Sequence, residues 1–155
     1  MNTAANNFAK AEMMIRRPVH EVFEAFIDPG ITTKFWFSKS TGKLEEGKIT
    51  EWTWEMYRLT IPVLTKKIDP NKNIFIEWGE GENLSSVEWT FTALSKDKTF
   101  VRVINSGLKA IGDELFSAIR DSTEGFTLLL AGAKSWLEHQ IQLNLVADKH
   151  PNGPE

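Results

Sequence analysis

Over residues 121–146 the chain reads DSTEGFTLLLAGAKSWLEHQIQLNLV, and no other stretch limits the fold so strongly. Phe126, Leu129, Leu130, Ala133, Trp136, Leu137 and Ile141 recur at spacings of three and four, which gathers them on one face of a helix. Asp121 followed three residues later by Glu124 reads as a capping-box variant, so the spacing predicts a helix over 122–145. Asp148, His150 and Pro151, followed by Asn152-Gly153-Pro154, end it. At about 1.5 Å per residue the rod is on the order of 35 Å long. A stripe of that length has to be covered by a sheet or a bundle.

The 41% hydrophobic content over 155 residues suits one domain with a real core. Its expected limits are a flexible N-terminus over 1–9, a folded unit over 10–146 and a flexible tail over 147–155. The net charge of −3 comes from interspersed signs without a basic run, so no nucleic-acid partner is expected. Without cysteine, disulfides and thiolate chemistry are excluded. MNTAANNFAKAE lacks the basic and apolar segments of a secretory leader, and no apolar run approaches a membrane span. No membrane association and a cytoplasmic location are the expectations.

The chain before the long helix divides into two kinds of pattern. A short strand over 11–16 leads through Arg17-Pro18 into a short helix, with Val19, Val22, Phe23 and Phe26 as its apolar stripe. Asp28-Pro29-Gly30 ends that helix, and Pro29 restarts a helical turn over 31–36. From Ser38 onward the pattern becomes short runs separated by turn residues. Strands are predicted over 41–44, 48–56, 58–68, 73–79, 84–94 and 98–105. Val87, Trp89, Phe91 and Ala93 alternate with Ser86, Glu88, Thr90 and Thr92, which puts one face in a core and the other in water. Pro62 inside a run implies an edge or a bulge there. The segment 107–119 reads as a connector in which DELFSAI forms a separate helical turn. Strands followed by a terminal helix give an α+β fold with an antiparallel sheet around that helix.

Of the six tryptophans, Trp52, Trp54, Trp78 and Trp89 fall on predicted strands and make them unusually aromatic. Each is first of all a core residue, but together they can line a pocket for an apolar ligand. Trp52 and Trp54 share a strand face, so both point inward or both outward. Gly132 between Ala131 and Ala133 costs about 1 kcal/mol relative to alanine in a helix. Either a backbone approaches there, or the helix leaves room for a cavity bounded by Trp54, Trp78, Trp89, Phe126 and Leu130. In the first case Gly132→Leu overpacks the core; in the second it is tolerated and reduces probe binding. Arg58, Glu77 and Arg102 fall on strands, most simply on a solvated convex face. His20, His139 and His150 have no spacing partner for a metal, and neither a phosphate loop nor a G-x-S-x-G elbow is present. No catalytic residue and no cofactor is indicated.

PVHEVFEAFIDPGITTKFW, VLTKKIDPNKNIFIEW, WTFTALSKDKTFVRVINSGL and EGFTLLLAGAKSWLEHQ together resemble the START-like (helix-grip, SRPBCC) superfamily, within the branch named for the activator of the heat-shock chaperone ATPase. The resemblance spans roughly residues 10–146. It implies a sheet of about seven antiparallel strands curved around the C-terminal helix, two short helices after the first strand, and a cavity between sheet and helix. The candidate lining is Trp36, Trp54, Arg58, Trp78, Trp89, Phe126, Leu130 and Ala133. Two departures from the family pattern, Phe126 after Gly125 where tryptophan is common and the glycine-poor FSKSTGKLEEG, fall near the expected mouth. The resemblance implies a non-enzymatic protein with one of two partners, a small apolar ligand or a chaperone, and with a role in stress response. The alternative is a cyclase, aromatase or hydrolase using the same cavity, which needs polar groups converging inside it. The sequence leaves the oligomeric state open.

Overall fold

The computed structural model describes residues 7–153. Residues 1–6 of the expected flexible N-terminus lie outside that span. Strand β1 (Phe8–Ile15) is followed by helices α1 (Val19–Ile27) and α2 (Pro29–Thr32). Then come β2 (Lys39–Ser40), β3 (Ile49–Trp54), β4 (Leu59–Asp69), β5 (Asn73–Trp78), β6 (Ser85–Ser95) and β7 (Lys98–Ser106). Helices α3 (Gly112–His139) and α4 (Leu145–Lys149) complete the order. The strands form one antiparallel sheet in the order β1-β7-β6-β5-β4-β3-β2. This is the α+β helix-grip arrangement.

The inner face follows from side-chain alternation. Trp52 and Trp54, Val63 and Thr65, Ile74 and Ile76, Val87, Trp89 and Phe91, and Val101 and Val103 are all buried at period two. Ala93 breaks the β6 pattern: it is exposed, next to a register shift between Ala93 and Ser95. Pro62 lies in an interior strand, opposite Glu51 of β3, and the bulge of β4 falls later, between Thr65 and Lys67. It is tolerated because pairing with β5 starts only at Val63, opposite Trp78, while the Pro62 carbonyl accepts from Gly79 N at 3.1 Å. The missing N–H therefore falls just past the end of that ladder.

Two expectations for the long helix are corrected. It begins at Gly112, so DELFSAI is its first part, and Asp121 and Glu124 sit mid-helix instead of capping it. Nothing between residues 112 and 121 breaks a helix, and Asp113 and Glu114 already supply acid to its first turn. It stops at His139, because Gln140 adopts a left-handed φ of 56° and its backbone N–H bonds back to Trp136 O. Ile141 is consequently off the buried stripe and 52% exposed. The stripe that remains is Phe126, Leu129, Leu130, Gly132 and Ala133. Residues 145–149 form α4, which extends into the tail expected over 147–155.

α3 runs along β1, the strand at one edge of the sheet, and covers that edge. Lys134 Nζ donates to Met14 O at 2.8 Å, and Arg16 N donates to Glu138 Oε2 at 2.8 Å. Lys134 and Glu138 also pair with each other. Burial pushes the Glu138 carboxyl up, but the Arg16 amide and Lys134 outweigh it and hold the group below its ordinary 4.5. A depressed carboxylate stabilises the fold above its unfolded value, and that stabilisation disappears as pH falls through the folded value. Glu138→Gln should therefore cost roughly 1 kcal/mol at neutral pH. In urea titrations at stepped pH, the difference from wild type should shrink as pH falls below 4.5; a difference that stays constant would show that the charge contributes nothing.

Candidate functional site

A half-open cavity of about 650 Å³ lies between the sheet and the first half of the buried stripe of α3. Its apolar walls are Trp36, Trp78, Phe126 and Leu128, with Tyr57 and Val146. Polar groups from Asn105, Asp121, Ser122, Lys149 and His150 reach the rest of its lining.

Each wall has a local cause. Asp28 caps α2 by accepting from Gly30 N at 2.9 Å, and the helical bonding continues to Trp36, whose N–H donates to Thr32 O at 3.0 Å. That turn carries the Trp36 indole into the middle of an aromatic cluster. Its ring centroid lies 4.9 Å from Trp52 and between 5.7 and 6.1 Å from Phe37, Trp54, Trp78, Trp89 and Phe126. Tyr57 ends a short 3-10 turn after β3, and its hydroxyl donates to Val146 O. Its ring also meets His150 edge-on at 5.9 Å, and Lys149 pairs with Glu124. The segment around α4 thus roofs the cavity.

At the β7 end, the polar groups are matched to one another. Asn105 is 4% exposed and donates to Ser85 Oγ at 3.0 Å and Ser86 O at 2.8 Å. Its Oδ1 accepts from Ser122 Oγ at 2.8 Å, and Trp78 Nε1 donates to Ser85 Oγ at 3.1 Å. A satisfied network of this kind fixes the position of Trp78 and offers a ligand orientation more than acid or base chemistry. Among the described residues no cluster of histidine and carboxylate could hold a metal ion.

Of the eight residues expected to line the cavity, Trp36, Trp78 and Phe126 do so. Trp54 and Trp89 are buried behind them at 5% and 1% exposure, packed on Trp36. Leu130 and Ala133 are fully buried core residues and not part of the wall. Arg58 is exposed, with a left-handed φ of 51° that turns the chain into β4. Glu77 pairs with Lys66 at 3.4 Å and Arg102 with Glu12 at 2.7 Å, as cross-strand partners on the outer face. The cavity does not open opposite Ala131, Gly132 and Ala133: a side chain at Gly132 would meet Phe35 Cβ at 3.2 Å. The glycine is there because the backbone of Phe35 approaches the helix.

Sequence reasoning missed Tyr57, Asn105, Ser122 and the 146–150 roof. Asn105 carried a signal, since it continues the inward alternation of Val101 and Val103 with a polar side chain.

A curved seven-stranded antiparallel sheet gripping a long C-terminal helix, with a cavity between them, defines the START-like class. The family model described as Activator of Hsp90 ATPase homolog 1-like protein matches residues 16–133, and the chain belongs to that family. No curated protein matches it. Among solved structures, SSP2350 from Staphylococcus saprophyticus superposes with a TM-score of 0.76 at 25% identity, over 88% of this chain and 95% of that one. The Aha1 dimer from Colwellia psychrerythraea gives 0.69 at 15% identity over 85% and 96%. DynU16, from the dynemicin biosynthetic locus, gives 0.72 at 19% identity, covering 88% of this chain and 49% of its own. No helix among the described residues is long and apolar enough to cross a membrane.

Proposed function

We propose that this protein binds a small, largely apolar molecule in the cavity between sheet and α3, as a non-catalytic START-like binding protein. The observation that carries this reading is the cavity itself: about 650 Å³ walled by Trp36, Trp78 and Phe126, with a few polar groups, among them Asn105, Ser122 and Lys149, on the rest of its lining. Catalysis is the weaker reading because the Asn105 amide and the Ser85 and Ser122 hydroxyls are already hydrogen-bonded to one another. A chaperone partner, the other expectation, draws no comparable support from the geometry.

Gly125 supplies the test. It lines the cavity, and a Cβ built on it meets nothing within 4 Å. Gly125→Leu should therefore raise stability by roughly 0.5–1 kcal/mol through helix propensity. The same side chain occupies ligand space and should weaken binding of N-phenyl-1-naphthylamine by about 10-fold. Dye titration and urea midpoints on both proteins measure the two effects. A wild type that leaves the dye dark, or a variant that binds it unchanged, sinks the proposal.

A further inference from the structure

A second space of about 330 Å³ lies beside the first, under residues 142–147, with Phe35, Phe37, Met56, Leu143 and Leu145 among its walls. Trp36 and Val146 line both spaces. Resting on the binding function above, we propose that Trp36 is a movable partition: an elongated apolar ligand with a polar end displaces its indole and extends from the first space into the second.

Three observations carry this. Trp36 comes from the turn after α2, so its backbone belongs neither to a strand nor to α3. It is half-buried, and among the described residues no hydrogen bond holds its indole nitrogen, whereas the neighbouring Trp78 is pinned to Ser85. Its aromatic contacts are tilted or edge-on, at 41° to 73°, while Phe37 and Trp52 stack at 20° and 4.8 Å without it. The rings behind the indole also contact one another without it. Both spaces mix apolar and polar lining: Asn105, Ser122 and Lys149 lie on the first, and Lys34, Gln142 and Asn144 lie on the second beside Phe35, Phe37 and Met56. A short ligand fits beside the closed indole. A long one binds only the open rotamer, and its apparent affinity is lowered by the fraction of protein in that state.

Displacement of N-phenyl-1-naphthylamine by octanoate and by palmitate tests the proposal, using wild type, Trp36→Leu and Trp36→Phe. Removing the partition should tighten palmitate by about 10-fold in Trp36→Leu, the factor expected if about a tenth of wild type is open. Trp36 also walls the first space, so octanoate should weaken in Trp36→Leu, and the partition is read from the palmitate-to-octanoate affinity ratio, which should rise by at least about 10-fold. Trp36→Phe is the gentler change and should move palmitate in the same direction by a smaller factor, even where the leucine variant does not fold. Equal shifts for both acids, which leave that ratio unchanged, overturn the partition and leave the binding cavity standing. A wild type to which neither dye nor acid binds overturns both.

Discussion

Leu130→Asp is expected to destabilise the protein by at least about 4 kcal/mol, the largest effect of any single change considered, and to leave it largely unfolded at physiological temperature. Leu130 is fully buried in the middle of α3, between Leu129 and Ala133. The substitution removes roughly 2 kcal/mol of apolar burial and places a carboxylate where only aliphatic and aromatic groups surround it. An unpaired buried charge either protonates or forces the site open, and both outcomes cost several kcal/mol. Thr127→Asp is the control, because Thr127 is on the exposed side of the same helix; it should stay within about 0.5 kcal/mol of wild type. Urea midpoints followed by far-UV circular dichroism separate the two. If both variants unfolded at the same midpoint, α3 would not grip the sheet as described.

The periodicities carried the architecture because burial enforces them. The buried segments of β3 to β7 alternate in sequence, and the buried centre of α3 repeats at three and four. The ends of α3 were harder to read. Residues 112–121 have too weak an apolar stripe to distinguish a projecting helix from a connector, and the stop at Gln140 depends on a left-handed residue that carries no glycine to announce it. The cavity was legible only in part. Trp36, Trp78 and Phe126 stood out as large aromatics, but composition could not separate wall from backing, and Trp89 and Trp54 look the same in sequence as Trp78. What separates them is the third dimension: Trp36 enters from another element and covers its neighbours. The roof was missed for a similar reason, since Tyr57 and Val146 are far apart in the chain and nothing local marks either as a partner of the other.

The two glycines of α3 should respond in opposite ways to the same substitution, and the contrast tests the placement of the cavity. Gly132→Leu is expected to destabilise by roughly 2 kcal/mol: overpacking costs up to about 3 kcal/mol, of which helix propensity returns at most about 1 kcal/mol. The reason is steric. A Cβ at residue 132 sits 3.2 Å from Phe35 Cβ and 3.4 Å from Phe35 O, and the carbonyl belongs to main chain held by the Phe35 N–H bond to Thr32 O at 3.1 Å. The remaining leucine atoms would have to push that turn aside or enter the smaller space, which Gly132 also lines. Gly132 does not line the larger cavity, so dye binding at subdenaturing conditions should persist in Gly132→Leu while it falls in Gly125→Leu. That combination, a destabilised protein that still binds, differs from a pocket at residue 132, where stability would hold and binding would fall. It also differs from a solid core, where no dye would bind at all. A Gly132→Leu protein as stable as wild type would mean that Phe35 does not lie against the helix and that the turn delivering Trp36 is placed differently.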